Sequence, residues 1–284
     1  MIRLSAFADE ISPELDEQIA VLSSEQVHFI DLRSVWNVNV LDLTDQQVDI
    51  IKEKLTAHGI GVAALGSPLG KVPIDSSFNE HLQRLERAIS LAQTLQTRYI
   101  RIFSFYPPAK GQGSGAPGWA SDPADYRQEV LRRLREMTAR ARAANIILVH
   151  ENEKEIYGDS IARNVDLLKN INDPHFRSVL DPANYIQCQQ EPYPRAYEET
   201  RPWLEYVHVK DALTDGSVVA AGEGDSHWPD LLQRLRKDGY DGFLTLEPHL
   251  AMAGKYQGFS GPDLFRKASQ ALQNLLKEMG WEYA

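Results

Sequence analysis

The chain has 284 residues, 43% of them apolar and 25% charged, enough to bury a core as one barrel-sized domain or two smaller ones. Its net charge of -10 argues against a partner held by phosphate neutralisation, so nucleic acid is not expected. One cysteine, Cys188, excludes an intrachain disulfide; with no basic leader before an apolar stretch and no bilayer-length apolar run, a cytoplasmic protein off the membrane is expected.

In chain order, short β-branched runs alternate with amphipathic stretches. IRLSAF (2–7) is followed by Ser12-Pro13-Glu14, read as a cap with proline at the first helical position, with Leu15, Ile19 and Leu22 on one face. HFIDLR (28–33) precedes Thr44 and Gln47, spaced as a capping box, and a helix through Val48, Ile51 and Leu55 that Gly59 stops. GVAALG (61–66) leads to a helix over roughly 76–96 with Leu82, Leu85 and Ile89 inward. YIRIFSF (99–105), IILVHE (146–151), RSVLD (177–181), YVHVK (206–210) and GFLTLE (242–247) complete the strands. Further helices are expected near 123–144, 160–170, 228–238 and 261–279. Prolines at both ends of 192–203 allow only a short helix.

Eight such pairs predict a parallel sheet closed into a single (β/α)8 TIM barrel spanning residues 1–284. An open doubly wound sheet is the rival, but it gathers ligand contacts at one switch point. Here four successive strand ends carry metal-ligand side chains: Glu151, Asp181, His208 and Glu247. A charged group ending a buried strand is costly unless paired, and one shared cation makes that pairing. Three carboxylates and one imidazole suit Mn²⁺ or Mg²⁺, with Co²⁺ or Zn²⁺ as further options. Singly, each has an ordinary explanation: Asp181-Pro182 as a turn, His208 as a core histidine, either glutamate as a paired strand end. Together they require four unrelated accidents.

The motifs HEN (150–152), DPAN (181–184), HVKD (208–211), GEGD (222–225) and LEPH (246–249), with FADEIS (7–12), DLR (31–33) and NVLDL (39–43), give the chain its family likeness. It resembles, over nearly its whole length, the sugar phosphate isomerase/epimerase superfamily of xylose isomerase-like TIM barrels. The resemblance implies one divalent metal bound by Glu151, Asp181, His208 and Glu247, with both glutamates also exchanging protons with the substrate carbon. The chemistry is coherent by itself. A metal polarising adjacent oxygens of a ketose acidifies the neighbouring C–H, one carboxylate removes the proton and the other returns it. The partner is then a small sugar or polyol derivative; a homo-oligomer paired through helical faces is compatible with the fold.

Two positions depart from the pattern. Asn184 stands where ketose epimerases often have a histidine, and Thr214 where a basic residue often follows, leaving Lys210 as the nearest candidate to anchor substrate. Arg33 is a candidate carboxylate or phosphate clamp, or else a salt bridge to Asp9 or Glu10. His249 faces substrate or solvent, Lys71 is a weaker anchor, His150 supports Glu151 or packs beneath it, and Glu223 orients His208 or only turns the chain. The loop 105–121, with Tyr106 and Trp119, reads as a lid. Alternatives are a metal-dependent dehydratase of the inosose or dehydroshikimate type and a non-catalytic sugar-binding barrel. An abasic-site endonuclease needs further histidines where this chain has Leu65, Gly66, Phe103 and Ser104.

Overall fold

The structure is a computed structural model that describes residues 1–109, 121–250 and 260–284. Eight strands close into one barrel: β1 (Arg3–Ala6), β2 (Phe29–Leu32), β3 (Gly61–Leu65), β4 (Tyr99–Ile102), β5 (Ile147–Glu151), β6 (Phe176–Leu180), β7 (Leu204–Val209) and β8 (Phe243–Leu246). Each pairs in parallel with its sequence neighbours, and β8 returns to β1 with Ser5 opposite Thr245. This is the (β/α)8 barrel expected from the alternation.

Strand alternation sends every second side chain into the barrel, where the residues fall into layers. At the bottom Phe29, Tyr99, Ile147, Tyr206 and Phe243 form an apolar floor, with ring centroids 5.2 Å apart for Phe29–Phe243 and 5.4 Å for Tyr206–Phe243. Burying each such ring contributes roughly 2–3 kcal/mol. Two residues further along β2 lies Asp31, whose Oδ1 accepts from Ser5 Oγ (2.5 Å), Tyr206 OH (2.7 Å) and Thr245 Oγ1 (3.3 Å). Burial pushes its carboxyl above the usual range. A further step brings the chain to the rim, where charge replaces hydrocarbon.

The outer helices mostly begin where their caps predict. Thr44 and Gln47 form the capping box of Asp45–Ala57. Ser77 caps Phe78–Thr94, whose buried face includes Leu82, Leu85 and Ile89. The first helix is a correction: it runs Leu15–Ser24 after Glu14, so Pro13 is not its first residue, and Ser12 Oγ accepts from Glu14 N (3.1 Å). Residues 192–203 form short helical pieces, Pro192–Ala196, Tyr197–Thr200 and Arg201–Trp203, with a cis Tyr193–Pro194 bond, in keeping with the short helix expected. No described helix is long and apolar enough to cross a membrane. Of the loop read as a lid, residues 110–120, including Trp119, lie outside the described residues.

Candidate metal centre and active site

Glu151 ends β5, Asp181 follows β6, His208 lies near the end of β7 and Glu247 follows β8. The barrel's rim therefore collects them, and one ligand atom from each lies within 4.8 Å of all the others. All four side chains are buried. Among the described residues His208 Nδ1 and Glu247 Oε2 have no hydrogen-bond partner, an expensive state for buried polar atoms that a cation would relieve, and Asp181 Oδ2 has only an ammonium beside it. His208 Nδ1 stands 3.4 Å from Glu151 Oε1 and 3.5 Å from Glu247 Oε2. Burial opposes a charge on that imidazole, yet Glu151 and Glu247 outweigh it and hold His208 above its ordinary range. A bound metal would take the place of that proton. The donor set and its unpartnered atoms fit one hard divalent ion.

Local structure fixes each ligand. Asp181 caps the short helix Pro182–Gln187, its Oδ1 accepting from Asn184 N (2.9 Å), which leaves Oδ2 to the centre and to Lys210. Asn152 locks the neighbouring strand end to it, donating Nδ2 to Asp181 O (2.9 Å) and accepting Asp181 N at Oδ1 (3.0 Å). Asn184 Nδ2 donates to Glu151 Oε1 (3.1 Å). Burial pushes Asp181 upward to about 6 against the pull of Lys210, whose Nζ is 2.8 Å from Asp181 Oδ2 and 3.7 Å from Glu247 Oε2. Lys210 is itself held protonated, since Asp181 and Glu247 outweigh its burial.

Arg33 is engaged on every nitrogen: Nε to Asp9 (2.7 Å), Nη2 to Glu10 (2.9 Å) and Nη1 to Glu247 Oε1 (2.8 Å). The salt bridge considered from sequence is thus present twice, and a third contact reaches a ligand. Gly66 makes room for it, because a Cβ there would lie 2.7 Å from Phe7 and 2.9 Å from Arg33. Burial lifts Glu10 to about 7 despite Arg33. His249 Nε2 lies 3.2 Å from Glu10 and 3.8 Å from Glu247, and burial pushes that imidazole down to about 3.

Glu151, Asp181, His208 and Glu247 thus meet at one place with Arg33, Lys210, Asn184 and His249. Others do not. Glu223 is exposed and pairs with Lys267 (2.8 Å), so it does not orient His208; the GEGD turn is held by Asp211, whose Oδ2 accepts from Gly222 N and Gly224 N. His150 points out of the barrel, stacked on Phe176 at 5.8 Å and against Gly158, so it neither supports Glu151 nor underlies it. Lys71 pairs with Glu153 (2.9 Å). Arg101 was missed: its Nη1 reaches Glu151 Oε2 (3.1 Å) and Glu247 Oε1 (3.4 Å). The signal was an arginine inside the apolar run YIRIF, the same anomaly that exposed the ligands.

Solved structures of similar shape bear on this arrangement. A D-tagatose 3-epimerase-like protein superposes with a TM-score of 0.75 at 14% identity, covering 98% of each chain. The probable 3-DHS dehydratase AsbF of Bacillus anthracis gives 0.73 at 18%, covering 96% of this chain and 99% of that one. A xylose isomerase-like TIM barrel protein from Mycobacterium smegmatis, in complex with magnesium, gives 0.73 at 16%, covering 98% and 96%. At these identities the likeness shows the fold. No curated protein matches the chain in sequence. The family model for xylose isomerase-like TIM barrels matches residues 26–275, and the chain belongs to that family.

Proposed function

We propose that this protein is a divalent-metal-dependent isomerase or epimerase of a ketose or related sugar or polyol derivative. The observation that carries the reading is two buried glutamates, three strands apart around the rim, sharing one centre with Asp181 and His208. Glu151, Asp181, His208 and Glu247 would hold the ion, Mn²⁺, Mg²⁺, Co²⁺ or Zn²⁺. When bound, it supplies Lewis acidity to adjacent substrate oxygens and makes the neighbouring C–H more acidic.

Each glutamate has one oxygen toward the centre and a second beside Arg101. One of the two accepts the proton from the substrate carbon, and the other, having taken a proton from solvent, delivers it from the opposite face; exchange with water resets the pair. Return to the same carbon gives an epimer, and return to the adjacent carbon gives an isomer. Asn184 fixes Glu151 and offers its amide to a substrate hydroxyl. Lys210 supplies a permanent positive charge where negative charge develops on oxygen. His249, uncharged, can donate or accept a hydrogen bond at the open side. Arg33 acts on substrate mainly through Glu247, which it orients.

The second reading is loss of water from the carbon β to a carbonyl, which the same two glutamates would serve; a probable dehydratase among the similar structures favours weighing it. The test is incubation with Mn²⁺ in D₂O with a panel of ketoses and inososes, followed by NMR. Deuterium beside the carbonyl in a rearranged sugar supports the isomerase or epimerase. An unsaturated or diketo product supports the dehydratase. No exchange with any member, in protein shown to hold metal, contradicts both.

A further inference from the structure

Arg101 is buried, with 5% of its surface exposed, and arises from the middle of β4. A single nitrogen, Nη1, reaches both glutamates, at Glu151 Oε2 and Glu247 Oε1. The oxygens it leaves alone, Glu151 Oε1 and Glu247 Oε2, are those beside His208 Nδ1. Each carboxylate is thereby divided between a guanidinium and the metal centre. The guanidinium is held in place by the rings of Phe7 and Phe103, 4.6 and 5.0 Å from its carbon to their centroids. Arg33 shares the load on Glu247, but among the described residues only Arg101 is hydrogen-bonded to Glu151 Oε2.

We propose that Arg101 is a positioning residue that keeps the second oxygen of Glu151, and together with Arg33 that of Glu247, off the metal, so that both bind through one oxygen and retain the other for the proton. This rests on the metal reading above. Without the guanidinium, a carboxylate beside a divalent ion would turn to bind through both oxygens.

The experiment compares metal-stripped wild type, Arg101→Met and Arg101→Lys, each titrated with Co²⁺ and with Mn²⁺. The methionine keeps the apolar stem and removes the charge. Expected for Arg101→Met is a shifted, weaker Co²⁺ visible band, marking higher coordination, with Mn²⁺ bound as tightly or up to about 10-fold more tightly because a repelling charge has gone. Arg101→Lys should restore the wild-type band, since one nitrogen makes both contacts. A wild-type band in fully loaded Arg101→Met, or a lysine variant that matches the methionine one, would overturn the assignment. So would Mn²⁺ binding weakened more than about 10-fold, the mark of a merely structural residue. Should Arg101→Met not fold, Arg101→Gln serves as the uncharged variant under the same criteria. Wild type that takes up neither ion defeats the metal reading and this inference together; wild type that binds, with a variant identical to it, defeats this inference alone.

Discussion

The two ends of the barrel are made by the same strands and differ in almost everything else. Phe243 of β8 belongs to the stacked floor while Glu247, four residues on, lies at the rim; Tyr206 of β7 and Lys210 stand at the same two levels. The floor is held by stacked rings and aliphatic side chains, so Phe29, Ile147 and Phe243 can be exchanged for apolar residues of similar volume at modest cost, while the Tyr99 and Tyr206 hydroxyls are tied to Glu205 and Asp31. The rim concentrates the buried carboxyls of Asp9, Glu10, Glu151, Asp181 and Glu247 against Arg33, Arg101 and Lys210. Such a constellation costs stability unless something is gained by it. One end accounts for the fold's persistence, and the other for why these particular residues are there.

The comparison breaks most visibly at the rim. Glu151→Gln or Glu247→Gln should lower conversion of substrate to product by at least about 10³-fold with little change in melting temperature. Retained conversion in either variant would remove that residue from proton transfer. At the floor the pattern should invert. Phe243→Ala is expected to cost about 3–5 kcal/mol in urea unfolding and leave Mn²⁺ affinity within a few-fold; lost metal binding with intact stability would show the two ends to be one unit.

A third prediction separates the rim's charges from pH dependence elsewhere. His81, on the outer helix, is pushed down to about 4 by burial and by Arg133 and Arg84. Between 6.5 and about 4 the unfolded chain binds a proton that the folded chain refuses, so stability is full above pH 6.5 and falls as pH drops through that window. The gap of about 2.5 pH units corresponds to ~3 kcal/mol. His81→Leu should flatten that loss, as seen in urea midpoints at pH 4.5 and 7; an unchanged slope would place the proton uptake elsewhere. The smallest effect belongs to the surface. Arg84→Ala, which removes an exposed pair with Asp42, should cost no more than about 0.5 kcal/mol.

The barrel and the clustering of Glu151, Asp181, His208 and Glu247 were legible because both leave periodic or anomalous marks. Alternation with the helices gives the strands, and a carboxylate at the end of a hydrophobic run has no inexpensive explanation. Arg101 and Asp31 carried the same anomaly inside YIRIF and HFIDLR and were passed over, because they sit within the runs and not at their ends. Contacts that join the first strands' loops to the last ones were not legible. Nothing in FADEIS tells that Glu10 meets Ser260 Oγ (2.9 Å) or that Arg33 spans to Glu247. The role once considered for Glu223 failed because a GEGD turn looks alike whether its acid faces the site or solvent. Only Asp211, gathering the turn's amides, decides which.

The central claim is that one cation binds where β5, β6, β7 and β8 end. Anomalous diffraction from crystals soaked in Mn²⁺ tests it directly. The account predicts a single strong peak bounded by Glu151, Asp181, His208 and Glu247, lost in His208→Ala crystals at the same concentration. An empty centre in the wild type, with density only at surface carboxylates, would contradict it.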